Sequence, residues 1–574
     1  MKNFTADFET CTWLEDETYV WAWAMCDIDN PDSVQIGTDI GSFFELCKQY
    51  TNPKIYFHNL KFDGSFLLYY LLENGYTLAE EKDQIKENTF QCIISDLGAF
   101  YQIIVYLKAY KGKIRKITFI DSLKIINMSV KDIAKTFNLP ISKLEIDYNQ
   151  FRPRDYQLTE EEKDYITNDV KIVAMALKEL FNEKLTKSTA AANALGYYKQ
   201  ITGRQKFEHY YPILTAQEDS LIRPAYKGRF TFLNKIWKDV DINQNVYILD
   251  VNSLYPSVMR YELLPFGKPV YFEGKYKENK LYPLYIQTIY CSFKIKPNKI
   301  PTIQIKEKNL FFASNEYIED SDDRRFMLTL TNVDLELFFE HYEVKDLEYL
   351  DGFMFRGIYG LFDNYIDYWT EKKIEAGKQG NKGKRQIAKL QLNSLYGKFA
   401  KSTRIKSKYP YIGEDGLIRY TMSKTEEKDG IYIPVAAFIT AYARKKTIST
   451  SQAIKDYSIE HYGRDMYIYS DTDSIHTQLP IEECKKFCQI DDYKLGYWAH
   501  EGTAQRGKFV RQKCYIEEID GKIKITCAGL PERCYDQVTW DNFKEGFTAH
   551  GKLTYKQVKG GVKLVETDFT IKEG

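Results

Sequence analysis

Residues 469–476 read Tyr-Ser-Asp-Thr-Asp-Ser-Ile-His, with Asp471 and Asp473 on either side of Thr472. Apolar, β-prone residues flank them, which predicts a hairpin whose tight turn presents two carboxylates at one end of a sheet. Alternation along an extended segment puts residues i and i+2 on one face, so the two acids are expected side by side. Like charges that close repel unless a cation neutralises them. Oxygen donors of this kind suit Mg²⁺, which binds through one or two carboxylates and phosphate oxygens. An isolated Asp-x-Asp is more often a solvated turn, so the rest of the chain has to decide.

A third acid, Asp250, ends the apolar run at residues 246–249 and is followed by Val251-Asn-Ser-Leu-Tyr255-Pro. Packing explains a carboxylate at the end of a buried strand poorly, whereas two-metal phosphoryl transfer needs a few carboxylates from different strands. Tyr255 falls just beyond, where its ring could stack under a sugar. Arg385, Lys389, Asn393 and Tyr396 are spaced four, four and three, and so share one face of a predicted helix. That stripe could hold a triphosphate and cover a base; a solvated basic face is the plainer reading. Between Glu371 and Lys408 stand twelve Lys or Arg against two Glu and no Asp, in a chain whose 80 basic and 80 acidic residues cancel. Such a local excess is a phosphate-binding footprint.

A separate set of acids lies near the amino terminus. Asp7 and Glu9 fall on one face of a short predicted strand, Asp63 follows His58-Asn59-Leu-Lys-Phe62, and Asp169 lies one helical turn after Tyr165. Four acids from three segments can hold two metals, with Tyr165 placed to orient an attacking water.

The segments Asp250-Val-Asn-Ser-Leu-Tyr-Pro, Lys389-Leu-Gln-Leu-Asn-Ser-Leu-Tyr-Gly and Tyr469-Ser-Asp-Thr-Asp-Ser resemble, in order, three motifs of the family B DNA polymerases. More narrowly, the chain resembles the protein-primed replicative polymerases of small tailed phages with linear genomes, of the Bacillus-phage type. The likeness spans essentially all 574 residues, and several long motifs at suitable spacing make it specific. It implies an α+β multidomain fold: an RNase H-like 3′–5′ exonuclease domain, then a right-hand polymerase of palm, fingers and thumb with two insertions. The expected divisions are exonuclease 1–187, first palm part 188–261, first insertion (the terminal-protein region) 262–357, and fingers 358–401. A second insertion, a β-hairpin, follows at 402–431, then the second palm part at 432–528 and the thumb at 529–574. Residues 188–196, small and polar, are expected to be a connector.

The resemblance also implies roles. Asp250 and Asp473 would bridge two Mg²⁺ ions, for which Mn²⁺ could substitute, with Asp471 beside them and the Val251 carbonyl completing the shell. Lys389, Arg385 and Lys373 would neutralise phosphate charge, Tyr255 would exclude ribonucleotides, and Tyr396 and Asn393 would frame the nascent pair. In the exonuclease, Asp7, Glu9, Asp63 and Asp169 would hold two more metals, and Lys143 would stabilise charge on the scissile phosphate. Glu145 stands where an Asp is expected, which leaves its part in metal binding open. His58, Asn59, Phe62, Phe66, Ser122 and Leu123 match positions that contact a single-stranded primer end, by stacking and a few polar bonds; core packing is the rival reading for His58 and Phe66. Lys513 and Tyr515, expected on one strand face, match a Lys-x-Tyr element that touches the primer strand. Tyr226-Lys-Gly228-Arg229 stands where relatives carry Tyr-x-Gly-Gly, a template-binding segment. There the charge of Arg229 would replace close backbone approach to a phosphate.

The implied partners are template and primer DNA, dNTPs, a terminal protein whose hydroxyl replaces the primer's, and a single-stranded-DNA-binding protein. The expected setting is a monomer in the cytoplasm of an infected bacterium. Composition agrees: 44% hydrophobic and 15% aromatic residues supply ample core for about four domains. The ten Cys form no Cys-x-x-Cys pair, which favours reduced thiols over disulfides or zinc. Neither a signal peptide nor a membrane span of about 20 apolar residues is expected. Two rival functions are a reverse transcriptase, which normally uses adjacent aspartates, and a nucleic-acid clamp with a decayed site, against which the full set of acids argues.

Overall fold

The computed structural model describes residues 1–304 and 317–572. Its amino-terminal part is built on an eight-stranded mixed sheet with the strand Asn3–Thr10 inside it. That strand pairs antiparallel with Val20–Asp27 and parallel with Lys54–Phe57, so both neighbours are occupied and its acids face helices rather than an open edge. Across it lies the helix Glu160–Asn182, whose start is fixed by a capping box between Thr159 and Glu162. The Thr5 hydroxyl donates to the Val170 carbonyl at 2.8 Å and ties helix to strand beside the acids.

Residues 188–196 do not form an open connector. The Thr189 side chain accepts from the Ala192 N–H and caps a helix over Ala190–Thr202. The alanines that read as small and polar spacing have high helix propensity once capped.

A second, five-stranded antiparallel sheet has the order Trp498–Ala504, Val246–Val251, Ser474–Thr477, Tyr467–Asp471, Thr231–Leu233. Its strands come from two distant stretches of chain, 231–251 and 467–504, and the 30-residue helix Ile433–Tyr462 packs behind it. From that helix Thr447 donates to the Thr472 carbonyl at 2.6 Å, and Ser451 bonds Ser470 at 2.9 Å.

Between the second and third strand of this sheet lie the two long excursions. Leu264–Glu273, Leu284–Ile295, Phe326–Thr331 and Tyr342–Ile358 form a four-stranded sheet of their own. Lys408–Ile412 and Ile418–Met422 form a hairpin that leans on the amino-terminal sheet: Ile418 is buried in that core, and Tyr420 meets Phe100 edge-on at 6.5 Å. The chain ends in a two-stranded ribbon, Thr548–Val558 with Gly561–Thr570. Among the described residues, no helix is long and apolar enough to cross a membrane.

Candidate active sites

The amino-terminal acids converge. One oxygen each of Asp7, Glu9 and Asp169 lie within 4.8 Å of one another. Asp63, buried in the first turn of the helix Leu60–Glu73, adds its charge to Asp7. Burial and then the Asp169 charge push the Asp7 carboxyl up to about 7. Burial first, and the neighbouring acids second, hold Glu9 and Asp63 well above the usual carboxylate range. Burial raises Asp169 as well, although Lys143 opposes it. So many buried acids cannot all ionise without a cation. One cation is built in: Lys143 Nζ lies 2.8 Å from Asp169 and 3.3 Å from the Tyr165 hydroxyl. Burial works to discharge that lysine, yet the Asp169 carboxylate leaves it above its ordinary value. Tyr165 also bonds Tyr148, a residue the sequence did not single out. Glu145 is exposed and is not one of the acids that converge here.

The second set of acids collects at the end of the five-stranded sheet. Asp250 is paired in register with Ser474, and Asp471 with the same Ser474 from the other side. The hairpin is the expected one, but strand alternation is not what places its acids. Asp471 ends its strand, Thr472 turns with φ +56°, and the Asp473 N–H bonds back to the Asp471 carbonyl at 2.6 Å. This three-residue turn, with a non-glycine residue in the left-handed region, is a strained conformation of the kind kept at functional sites. It sends Asp473 towards Asp250, whose carboxyl pKa its charge helps to raise, while the Asp473 carbonyl accepts the Val251 N–H at 2.8 Å. Burial and then the Asp473 charge push Asp250 up to about 7. Asp471 instead faces Lys513, 3.4 Å away, and accepts from Thr231 at 3.3 Å. Glu501, on the edge strand, is a further nearby charge that sequence reading missed.

Whether metal ions fit can be judged from stranded acceptors. Asp63 Oδ1, Asp169 Oδ1 and Asp250 Oδ1 are buried without a hydrogen-bond partner. A buried acceptor left unsatisfied costs about 1–3 kcal/mol or more. Hard oxygen donors in both clusters, with open valence aimed inward, fit Mg²⁺.

Around the second cluster, Lys373 on the helix Asp363–Lys378 is half-buried, and burial with the charges of Arg385 and Lys389 lowers its pKa. These three cations therefore converge. Arg385, Lys389 and Asn393 line the exposed face of the helix Lys382–Ser394; Tyr396 begins a separate short helix, stacked on Tyr255 at 4.7 Å and 9°. Its hydroxyl bonds that of Tyr226 at 2.8 Å. Lys513 does not share a strand face with Tyr515. It occupies the turn before the strand Cys514–Ile519 with φ +58°, while Tyr515 stacks on Phe509 at 4.9 Å. Neither Gly228 nor Arg229 has a positive φ, so this linker does not exploit glycine's freedom.

Of the residues expected to meet a primer end, Asn59, Phe62 and Leu123 are partly exposed. Asn59 donates to the Tyr555 hydroxyl of the terminal ribbon at 3.0 Å. His58 and Ser122 are occupied with each other instead: Nδ1 meets the Ser122 hydroxyl at 2.9 Å and Nε2 the Met128 carbonyl at 2.7 Å. Burial lowers the pKa of that imidazole, which is still partly exposed. Phe66, 1% exposed, belongs to the core. Asp121, missed in the sequence, holds the loop around Asn59 by accepting the N–H groups of Asn59, Leu60 and Leu123.

The family model for type B DNA polymerases, organellar and viral, matches residues 45–153 and 144–487. The DNA polymerase of Bacillus phage M2 is 44% identical over the whole of both chains, and that of Bacillus phage phi29 is 42% identical, covering all of this chain and 99% of its own. The DNA polymerase of Streptococcus phage Cp-1 is 35% identical over 99% of this chain and 98% of its own. The phi29 DNA polymerase solved with primer-template DNA and incoming nucleotide superposes over the full length of both chains, with a TM-score of 0.92 and 40% identity. The chain therefore belongs to the viral type B DNA polymerases of the phi29 kind, and is a DNA-directed DNA polymerase with exonuclease, palm, fingers and thumb.

Proposed function

We propose that this polymerase replicates a linear phage genome inside an infected bacterium, extends strands by two-metal nucleotidyl transfer, and proofreads at a second, independent site. The observation that carries this reading is the pair of carboxylate clusters, on different sheets, each with at least one buried acceptor left without a partner among the described residues. The expected domain divisions stand as part of the same proposal.

At the polymerase site Asp250 and Asp473 would hold the ions, with the Val251 carbonyl beside them. Bound Mg²⁺ would supply charge to acidify the primer hydroxyl and steady the leaving pyrophosphate. Lys373, Arg385 and Lys389 neutralise the triphosphate, and the Tyr255–Tyr396 stack closes the pocket over sugar and base. Lys513 pairs with Asp471, 3.4 Å away. At the exonuclease site Asp7, Glu9, Asp63 and Asp169 would be the ligands. Lys143 holds Asp169 and offers a cation to the scissile phosphate, while the Tyr165 hydroxyl, backed by Tyr148, orients a water. Template and primer DNA and dNTPs are the substrates; a terminal protein would present the first hydroxyl, and a single-stranded-DNA-binding protein would cover displaced strand.

The test is a divided one. Purified protein with Mg²⁺ should extend a primed template, degrade single-stranded DNA 3′ to 5′, and transfer dAMP to a serine, threonine or tyrosine of the phage's terminal protein. Absence of Mg²⁺-dependent extension would return the chain to the class of binding clamps.

A further inference from the structure

Two of the groups at the amino-terminal cluster, Lys143 and Tyr148, lie on residues 137–159, a stretch with neither helix nor strand. So long a connection takes its shape from side-chain bonds. Their hub is Arg152, 1% exposed. Its Nε donates to Glu162 Oε2 at 2.5 Å, and its Nη1 to the carbonyls of Asp147 at 2.8 Å and Gln150 at 3.2 Å. The guanidinium lies over the Trp21 ring at 4.4 Å, and the Arg152 carbonyl accepts the Tyr19 hydroxyl at 2.7 Å. Glu162 is buried too, and its other oxygen accepts the Tyr156 hydroxyl at 2.8 Å and the Thr159 N–H at 2.9 Å.

Glu162, Tyr165 and Asp169 are spaced three and four on the helix Glu160–Asn182, and all three are buried, so they share one face. One end of that row carries the two groups of the cluster; the other end carries Arg152. Arg152 in turn grips the carbonyl just before Tyr148, while the Tyr148 carbonyl accepts the Thr12 hydroxyl at 2.6 Å. The loop therefore hangs from the same helix face that it meets again through Lys143 at Asp169 and through Tyr148 at Tyr165. A buried ion pair is weak evidence for stability, and its best-attested use is to fix register. A planar fork serving one carboxylate and two carbonyls at once demands a single arrangement. We propose that Arg152, locked to Glu162, is a positioning residue for the 3′–5′ exonuclease. It sets where Lys143 and Tyr148 stand against Asp169 and Tyr165, and so sets the rate of cleavage from a buried place that meets no DNA. This rests on the reading of the amino-terminal acids as an exonuclease site.

The experiment measures single-turnover degradation of single-stranded DNA, the Kd for that DNA, and primer extension in Arg152→Lys and Glu162→Gln. Arg152→Lys keeps a charge beside Glu162 but cannot also hold the two carbonyls. A misplacement of about 1 Å costs up to about a hundredfold, so cleavage at saturating DNA should fall about ten- to hundredfold with the Kd within about twofold. Glu162→Gln keeps the helix cap and an acceptor, and should lower cleavage only about two- to tenfold. Extension should stay at the parent rate in both, which also shows that the chain is folded. On a Lys143→Ala, Tyr148→Phe background, followed over long time courses with enzyme in excess, Arg152→Lys should bring no further fall, because the groups it positions are gone. A role in merely holding the domain together would lower the rate there as well. Cleavage at the parent rate in Arg152→Lys, a fall that persists in full on that background, or a matching loss of extension overturns the inference. Asp169→Ala separates the two levels. Cleavage that survives it removes the exonuclease reading and the inference with it; cleavage abolished there but intact in Arg152→Lys removes the inference alone.

Discussion

The two carboxylate clusters solve the same electrostatic problem with different materials. The exonuclease acids project from the interior of a central strand and from two packed helices, and a lysine 2.8 Å from Asp169 is part of the site. The polymerase acids stand on strand ends and a strained turn. Their cation, Lys513, is half exposed, 3.4 Å away, and beside Asp471 rather than the Asp250/Asp473 pair. One cluster has a lysine built in against its acids and still leaves two acceptors stranded; the other stands at a sheet end, where, on the proposed function, a triphosphate and DNA would enter. Rigid interior placement suits a reaction on one strand end, and edge placement suits a site that must admit a new substrate each cycle.

The sharpest way to break this comparison is to remove acids from one site and assay both. Asp250→Ala or Asp473→Ala should lower extension by about a thousandfold or more, several kcal/mol in the barrier, and leave single-strand degradation standing. Asp7→Ala with Glu9→Ala, or Asp169→Ala, should do the reverse. A folded variant that loses both activities would show that the sites are not independent.

The cations test the difference directly. Lys143→Ala should cost the exonuclease about a hundredfold, since it takes away both a phosphate partner and the counter-charge of Asp169. Lys513→Ala should cost extension only about tenfold, because that lysine is largely solvated. Single-turnover rates at saturating Mg²⁺ measure both. Equal losses would erase the distinction.

Metal-free stability should follow pH with a definite sign. Asp7 and Asp250 sit at about 7 in the folded chain, above the unfolded value of about 3.9. The folded state therefore binds protons more tightly, and in EDTA its melting temperature should fall as pH rises from about 4 through about 7. Mg²⁺ should restore it most at the high end, by binding only the ionised, folded sites. Asp7→Asn should flatten the EDTA profile, and an unchanged slope would count against the shift at that residue.

The smallest effect on chemistry is expected at the 402–431 hairpin. Replacing residues 406–424 with a short linker should leave single-nucleotide addition intact and shorten the products made per binding event on a primed circle. Because Ile418 is buried in the exonuclease core, Ile418→Ala should also cost about 2–4 kcal/mol of stability. Wild-type product lengths after the replacement would show that the hairpin encloses nothing.

The acids and their grouping were legible in the sequence, because a carboxylate at the end of an apolar run or a repeated Asp-x-Asp has few structural uses. The long helix after Thr159 was legible too, since its capping box is local. Other features depended on approach between distant segments. For His58 and Phe66, only the fold shows that one bonds a hydroxyl 64 residues away and that the other lies in a packed core. Lys513 and Tyr515 were separated by a left-handed turn that alternation cannot foresee. Asp121 and Tyr148 act through partners that no spacing reveals. The path of the Tyr226–Phe230 linker exists only because Arg444 and the Thr472 turn pin it from both sides. Residue type and short-range spacing determine which groups can do chemistry. Which of them are still free to do it is decided by long-range packing, where each polar atom is either satisfied by the protein or left for a ligand.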